Sequence, residues 1–218
     1  MLISHEHKFL TIDIPKTGSR SLRESLCPMG IIDIVGTPYQ NKAFYQHGTA
    51  LDCTRDLEKN NCNFDDYYSF CVVRDPWERY FSFFKYYKSY KERYLNRDKS
   101  IDWKEPEINQ GKFCVELLEN KDSRTVLKHI ILSNPSQDSF YCGRKMEVIV
   151  DHIAVFENIE REFALLCNNV GIITPTLKHG NKSKDPQNMH ETYNQELIDL
   201  VASKENNVIK LKGYDYIT

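Results

Sequence analysis

Ile12-Asp13-Ile14-Pro15-Lys16-Thr17-Gly18-Ser19-Arg20-Ser21-Leu22 joins an apolar, β-branched run to a turn carrying a lysine, a glycine and three hydroxyls. Residues 8–14 read as a strand, and from Ser19 onward the spacing is helical, with Leu22 and Leu26 one turn apart. A strand that empties through a short loop into a helix is a building unit of α/β folds. The loop has the composition of a phosphate cradle. Unpaired N–H groups and the dipole of a helix N-terminus favour an anion, Gly18 allows close backbone approach, and Lys16 adds a full charge. The nucleotide loop G-x-x-x-x-G-K-[ST] does not fit, because Lys16 precedes Gly18 and no glycine stands upstream. The same residue types also serve ordinary turn and capping roles, so this run alone leaves both readings open.

A second run narrows the choice. Tyr67-Tyr68-Ser69-Phe70-Cys71-Val72-Val73 is rich in aromatic and β-branched residues and reads as a buried strand ending at Arg74-Asp75-Pro76-Trp77-Glu78-Arg79-Tyr80-Phe81-Ser82. Pro76 suits the first turn of a helix, which puts Arg74 at the carboxyl end of the strand and Ser82 about two turns along the helix. Open α/β sheets bind ligands at that end of their strands. The Arg74 guanidinium matches a phosphate, and Ser82 offers a hydroxyl. The competing reading makes Arg74 and Asp75 an ion pair that caps the helix.

Together the motifs P-K-T-G-S-x-S-L and V-R-D-P-x-x-R-x-x-S resemble those of the sulfotransferases that use 3′-phosphoadenosine 5′-phosphosulfate (PAPS). The resemblance implies that Lys16, Thr17, Gly18, Ser19 and Ser21 surround the 5′-phosphosulfate, and that Arg74 and Ser82 hold the 3′-phosphate. Arg20 stands where small residues are more usual, and its long side chain either reinforces the anion site or points away from it. Val155-Phe156-Glu157-Asn158-Ile159-Glu160 and His179-Gly180-Asn181-Lys182-Ser183 extend the likeness, the latter adding Lys182 and Ser183 as donor-binding candidates. The motifs are most similar to those of the carbohydrate sulfotransferases of the Golgi type and their bacterial relatives. The implied fold is α/β, a P-loop-like parallel sheet flanked by helices on both faces.

Composition agrees with one enzyme domain over residues 1–218. At 40% hydrophobic the chain can bury a full core, and a formal charge of −2 argues against a nucleic-acid or polybasic membrane binder, so any basic site is local. The first ten residues lack the basic start and apolar core of a signal peptide, and no run approaches a membrane span. Seven cysteines without a C-x-x-C pair read as reduced, buried thiols, which points to a cytoplasmic location, with a luminal domain trimmed of its anchor as the alternative.

Alternating elements favour a parallel sheet, with strands near 8–14, 31–35, 67–73 and 148–156 and helices near 19–27, 49–60, 77–95, 110–132, 158–169 and 191–204. Residues 96–110 and 174–189 lack periodicity and read as loops over the site. Within 77–95, Phe83, Tyr87, Tyr90 and Tyr94 share one helical face and read as core packing. From Arg74 to Lys99 eight basic residues stand against four acidic ones, which permits an anionic acceptor.

Sulfuryl transfer to a hydroxyl calls for a base. His47 lies between the two phosphate motifs, as does the catalytic histidine of the related uronosyl sulfotransferases, and an imidazole accepts a hydroxyl proton at neutral pH. His179 competes; His129 and His152 sit in apolar runs and read as structural; Asp13, Glu24 and Glu157 are further bases or orienters. No metal-ligand spacing is visible, and Lys and Arg can supply the charge that a metal otherwise would. The expectation is therefore a PAPS-dependent transfer to a hydroxyl, on a carbohydrate, with Lys16 and His47 as the catalytic pair. A small-molecule or nucleotide kinase and an inactive nucleotide-binding module are the alternatives.

Overall fold

The computed structural model describes residues 1–26, 47–98, 103–178 and 188–216. Strands β1 (Leu2–Ser4) and β2 (Phe9–Ile12) are joined by a turn with Lys8 in the left-handed region at φ 51°. Helices α1 (Ser19–Leu26) and α2 (Ala50–Lys59) follow, then β3 (Tyr68–Val73) and α3 (Pro76–Leu95). Helices α4 (Glu105–Leu118), α5 (Ser123–Ser133) and α6 (Asp138–Tyr141) precede β4 (His152–Val155), and α7 (Ile159–Asn169), α8 (Met189–Thr192), α9 (Gln195–Lys204) and α10 (Asn206–Lys212) complete the order.

The sheet runs β1-β2-β3-β4. Its three longer strands are parallel, with Thr11 opposite Phe70 and Cys71 opposite Ile153, while β1 adds an antiparallel edge through Ile3 and Leu10. Alternation along the strands divides the core. Leu10, Ile12, Cys71 and Val73 pack on one face with α2, α6 and α10, through residues such as Cys53, Tyr141 and Val208. Phe9, Phe70, Val72 and Ala154 pack on the other face with Leu22 and Leu26 of α1 and Phe163 and Leu166 of α7. Burial on both faces explains why β3 reads as a nearly unbroken apolar run. The expected α/β architecture is present, with one antiparallel edge strand added to the parallel sheet.

The chain groups into two compact units. Met1–Asp75, Ser136–Lys182 and Asn207–Tyr214 form the unit that holds the sheet. Pro76–Pro135, Ser183–Asn206 and Asp215–Thr218 form a helical unit, in which α3 packs against α4, α5 and α9. A Cβ on Gly111 would lie 2.1 Å from Cδ2 of Tyr94, so α4 approaches α3 at a distance only glycine tolerates. Phe83, Tyr90 and Tyr94 are buried as their spacing implies, and the ammonium groups of Lys85 and Lys88 lie over the Phe81 and Phe84 rings at 5.0 and 5.6 Å. Arg79 is fully buried in this unit. Its Nη1 donates to Glu205 Oε1 at 3.0 Å and to the Pro135 carbonyl at 3.2 Å, and Tyr80 donates to the same Glu205 oxygen at 2.9 Å.

Several boundaries depart from the sequence reading. The helix expected over 110–132 is two helices, because Asn120 takes φ 55° and Asp122 caps α5 by accepting from the Arg124 and Thr125 amides. The loop expected over 96–110 already becomes helical at Glu105, where Pro106 occupies the first turn. The helix expected over 191–204 begins at Gln195, capped by Asn194, and is flanked by the short α8 and α10. The strand expected at 148–156 is confined to His152–Val155, with Val148 in an isolated bridge to Cys142. The strand expected at 31–35 lies outside the described residues. His129, read as structural, lies on the exposed side of α5, whereas His152 bonds Glu162 at 2.8 Å and stacks on Phe70. The six described cysteines are free thiols, all buried except the half-buried Cys62. Among the described residues no helix is long and apolar enough to cross a membrane.

Candidate active site

The loop between β2 and α1 turns on two left-handed residues, Lys16 at φ 70° and Gly18 at φ 89°. Gly18 meets two constraints at once, since a Cβ there would lie 2.8 Å from Cε2 of Phe156. Its carbonyl accepts the Ser21 amide at 2.9 Å and so opens α1, whose first N–H groups have no partners within the helix. Ser19 and Ser21 lie in that first turn and are half-buried. Thr17 is buried, and its hydroxyl donates to the Ile14 carbonyl at 2.9 Å, which closes the loop on itself.

Arg74 follows β3 and reaches this loop. Its Nη1 donates to the Lys16 carbonyl at 3.5 Å, and its guanidinium lies over the Phe156 ring, 4.6 Å from the centroid. Phe156 thus contacts the cradle glycine with one edge and carries the arginine on its face. Lys16 feels both its burial and the Arg74 charge, which together lower its pKa to about 8. Two cations pressed together beside a helix N-terminus form a site that a multiply charged anion relieves.

His47 stands three residues before α2, whose N-cap is Thr49. Its Nδ1 lies 2.8 Å from the Asp13 backbone carbonyl, just beyond β2. A carbonyl only accepts, so Nδ1 carries the proton and Nε2 keeps its lone pair. Burial of the inner side of the ring lowers its pKa, against a smaller opposite effect of Asp13, and favours the neutral form; the residue is otherwise exposed to solvent. The Asp13 carboxylate is buried and pairs with Arg23 of α1 and with the Met1 ammonium, each at 2.5 Å. One residue therefore anchors the cradle helix through its side chain and His47 through its backbone.

The structure brings Lys16, Gly18, Ser19, Ser21 and Arg74 to one strand-end region and ties His47 to the adjoining Asp13. Arg20 is exposed and pairs with Glu24 at 2.5 Å. Ser82 is half-buried on α3, in the helical unit. Lys182, Ser183 and His179 lie outside the described residues. Glu157 accepts the Asp75 amide and the Tyr214 hydroxyl, each at 2.8 Å. Asp13, Glu24 and Glu157 all have cationic or hydrogen-bonding partners already. Two contributors escaped the sequence reading. The role of Phe156 depends on ring placement that no spacing reveals. Gln137, in an irregular Asn-Pro-Ser-Gln stretch, approaches Arg74 only through the tertiary fold.

No curated protein matches the chain. Among solved structures, a sulfotransferase from Alicyclobacillus acidocaldarius is similar at 15% identity over 96% of each chain, with a TM-score of 0.37. The sulfotransferase family model matches residues 1–211, nearly the full length. On the strength of that match the chain belongs to the sulfotransferase family, whose chemistry is sulfuryl transfer.

Proposed function

We propose that the protein is one sulfotransferase domain that takes its sulfuryl group from PAPS and passes it to a hydroxyl, on a carbohydrate. The observation that carries this reading is the meeting of Lys16 and Arg74 at the glycine loop, next to the first turn of α1. This donor set suits a nucleotide with a charged group at each end of its ribose: the loop and Lys16 for the 5′ group, Arg74 for the 3′-phosphate. The motif resemblance adds Ser82, Lys182 and Ser183 to that set and supports the carbohydrate acceptor. The buried free thiols support a reducing compartment.

The bound donor supplies an electrophilic sulfur and a phosphate leaving group. His47 Nε2 takes the proton of the acceptor hydroxyl, held in the correct tautomer by the Asp13 carbonyl. Lys16 and the α1 amides stabilise the negative charge that grows on the leaving side. Their contribution is greatest in the transition state.

The test is transfer of labelled sulfuryl from PAPS across a panel of hydroxyl acceptors. Lys16→Ala should lower turnover more than it weakens binding of adenosine 3′,5′-bisphosphate. A variant with normal turnover and poor donor binding would reduce Lys16 to an anchor, and absence of transfer from PAPS to every acceptor would refute the donor assignment.

A further inference from the structure

Arg74 lies one residue beyond the last paired position of β3, where its own N–H and C=O have left the strand ladder. Gln137 supplies both missing partners. Its Oε1 accepts the Arg74 amide at 2.8 Å, and its Nε2 donates to the Arg74 carbonyl at 2.9 Å. The primary amide thereby imitates a neighbouring strand for one residue. Gln137 is 0% exposed, and its own backbone is held between α5 and α6, immediately before Asp138. Asp138 is buried and accepts from Ser136 and Asn207, at 2.5 and 2.7 Å, so the platform beneath Gln137 is itself bonded. The next amide along, that of Asp75, is taken by Glu157. Side chains from two other segments therefore fix the backbone on which the Arg74 guanidinium is carried toward Phe156 and the Lys16 carbonyl.

We propose that Gln137 is a positioning residue for the 3′-phosphate: by clamping both backbone groups of Arg74 it sets the direction of the guanidinium and so the enzyme's preference for a 3′-phosphorylated nucleotide. This rests on the donor reading given above. A backbone released at this point leaves the arginine charge in place but lets its fork rotate, and a fork binds a phosphate strongly only when aligned. The loss should fall on the ligand's 3′ end, because the Gln137 amide grips the backbone that carries the Arg74 guanidinium.

The experiment measures the affinities of adenosine 3′,5′-bisphosphate and AMP by calorimetry, well below the melting temperature. Wild type comes first. A wild-type protein without preference for the bisphosphate overturns the donor reading itself. Given that preference, Gln137→Met, which keeps the volume and removes both hydrogen bonds, should reduce it by roughly 10- to 100-fold, the range for aligned bonds to charged groups, with AMP affinity unchanged. Gln137→Glu, which still accepts the Arg74 amide, should fall between wild type and Gln137→Met. In an Arg74→Ala background Gln137→Met should have no further effect on the ratio. A variant that is less stable but keeps the full preference makes Gln137 merely structural and overturns the proposal. So does equal weakening of both ligands, and so does failure of both variants to fold, which would make the residue a determinant of the fold alone.

Discussion

Lys16 sits with its charge half-disfavoured, because burial and Arg74 lower its pKa to about 8. The negative charge of an anionic ligand outweighs both effects and raises that pKa, so binding at or above about pH 8 takes up a proton and affinity falls as pH rises through that value. Calorimetry of adenosine 3′,5′-bisphosphate in buffers of different ionisation enthalpy should show this uptake, and Lys16→Arg should abolish it; identical heats after correction for buffer-independent binding would count against the shift. In the proposed reaction His47 has the opposite task, since a general base must be neutral to accept a proton. Burial holds its pKa below the ordinary 6.5, so the acid limb of kcat/KM should lie below that value. His47→Ala should lose about 10²–10⁴-fold in turnover together with that limb, while the bisphosphate still binds. Retention of both the rate and the limb would move the search for the base to another residue.

At the scale of elements, the cradle depends on how β4 ends against it. Gly18→Ala would need an alanine at φ 89° with its methyl 2.8 Å from the Phe156 ring. A loss of roughly 1–3 kcal/mol is expected from the backbone conformation, with a further steric part. Chemical denaturation of Gly18→Ala, Phe156→Leu and the double variant separates the two, because the cycle subtracts what losing the ring costs on its own, including its contact with Arg74. In the helical unit, α3 is tied to the end of α9 by the buried Arg79–Glu205 pair. Arg79→Met should destabilise by roughly 3–5 kcal/mol, since the buried Glu205 carboxylate loses the guanidinium that balances its charge, and adding Glu205→Leu should restore much of the loss. If the double replacement were as unstable as the single one, packing rather than charge would be responsible.

For the whole molecule, ligand binding should appear as stability. At a hundred times its Kd, adenosine 3′,5′-bisphosphate should stabilise by about 2.7 kcal/mol. For a chain of 218 residues that is a rise in Tm of roughly 5–11 °C, larger than AMP produces at the same concentration. Much of this architecture was legible in the chain. The apolar strands before Lys16 and Arg74 and the helix opened by Pro76 follow from periodicity and local stereochemistry. The three-residue β1 is too short to carry a period, and the break between α4 and α5 turned on a single left-handed asparagine followed by an aspartate cap. Lys16, Gly18 and Arg74 announced themselves by chemistry and position. Their mutual geometry did not, because Phe156 and Gln137 act across sequence separations of 138 and 63, as the contacts Gly18 to Phe156 and Arg74 to Gln137 show.

The Phe156 ring has a consequence for how this protein can diverge. One edge occupies the space that a side chain at position 18 would need, and one face carries Arg74. Shrinking the ring frees position 18 but removes the arginine's support, and enlarging position 18 displaces the ring. Mutational paths through these positions are therefore narrow: a change that abandons the glycine must alter the aromatic and find another way to hold the arginine, so substitutions at the three positions are expected to be coupled.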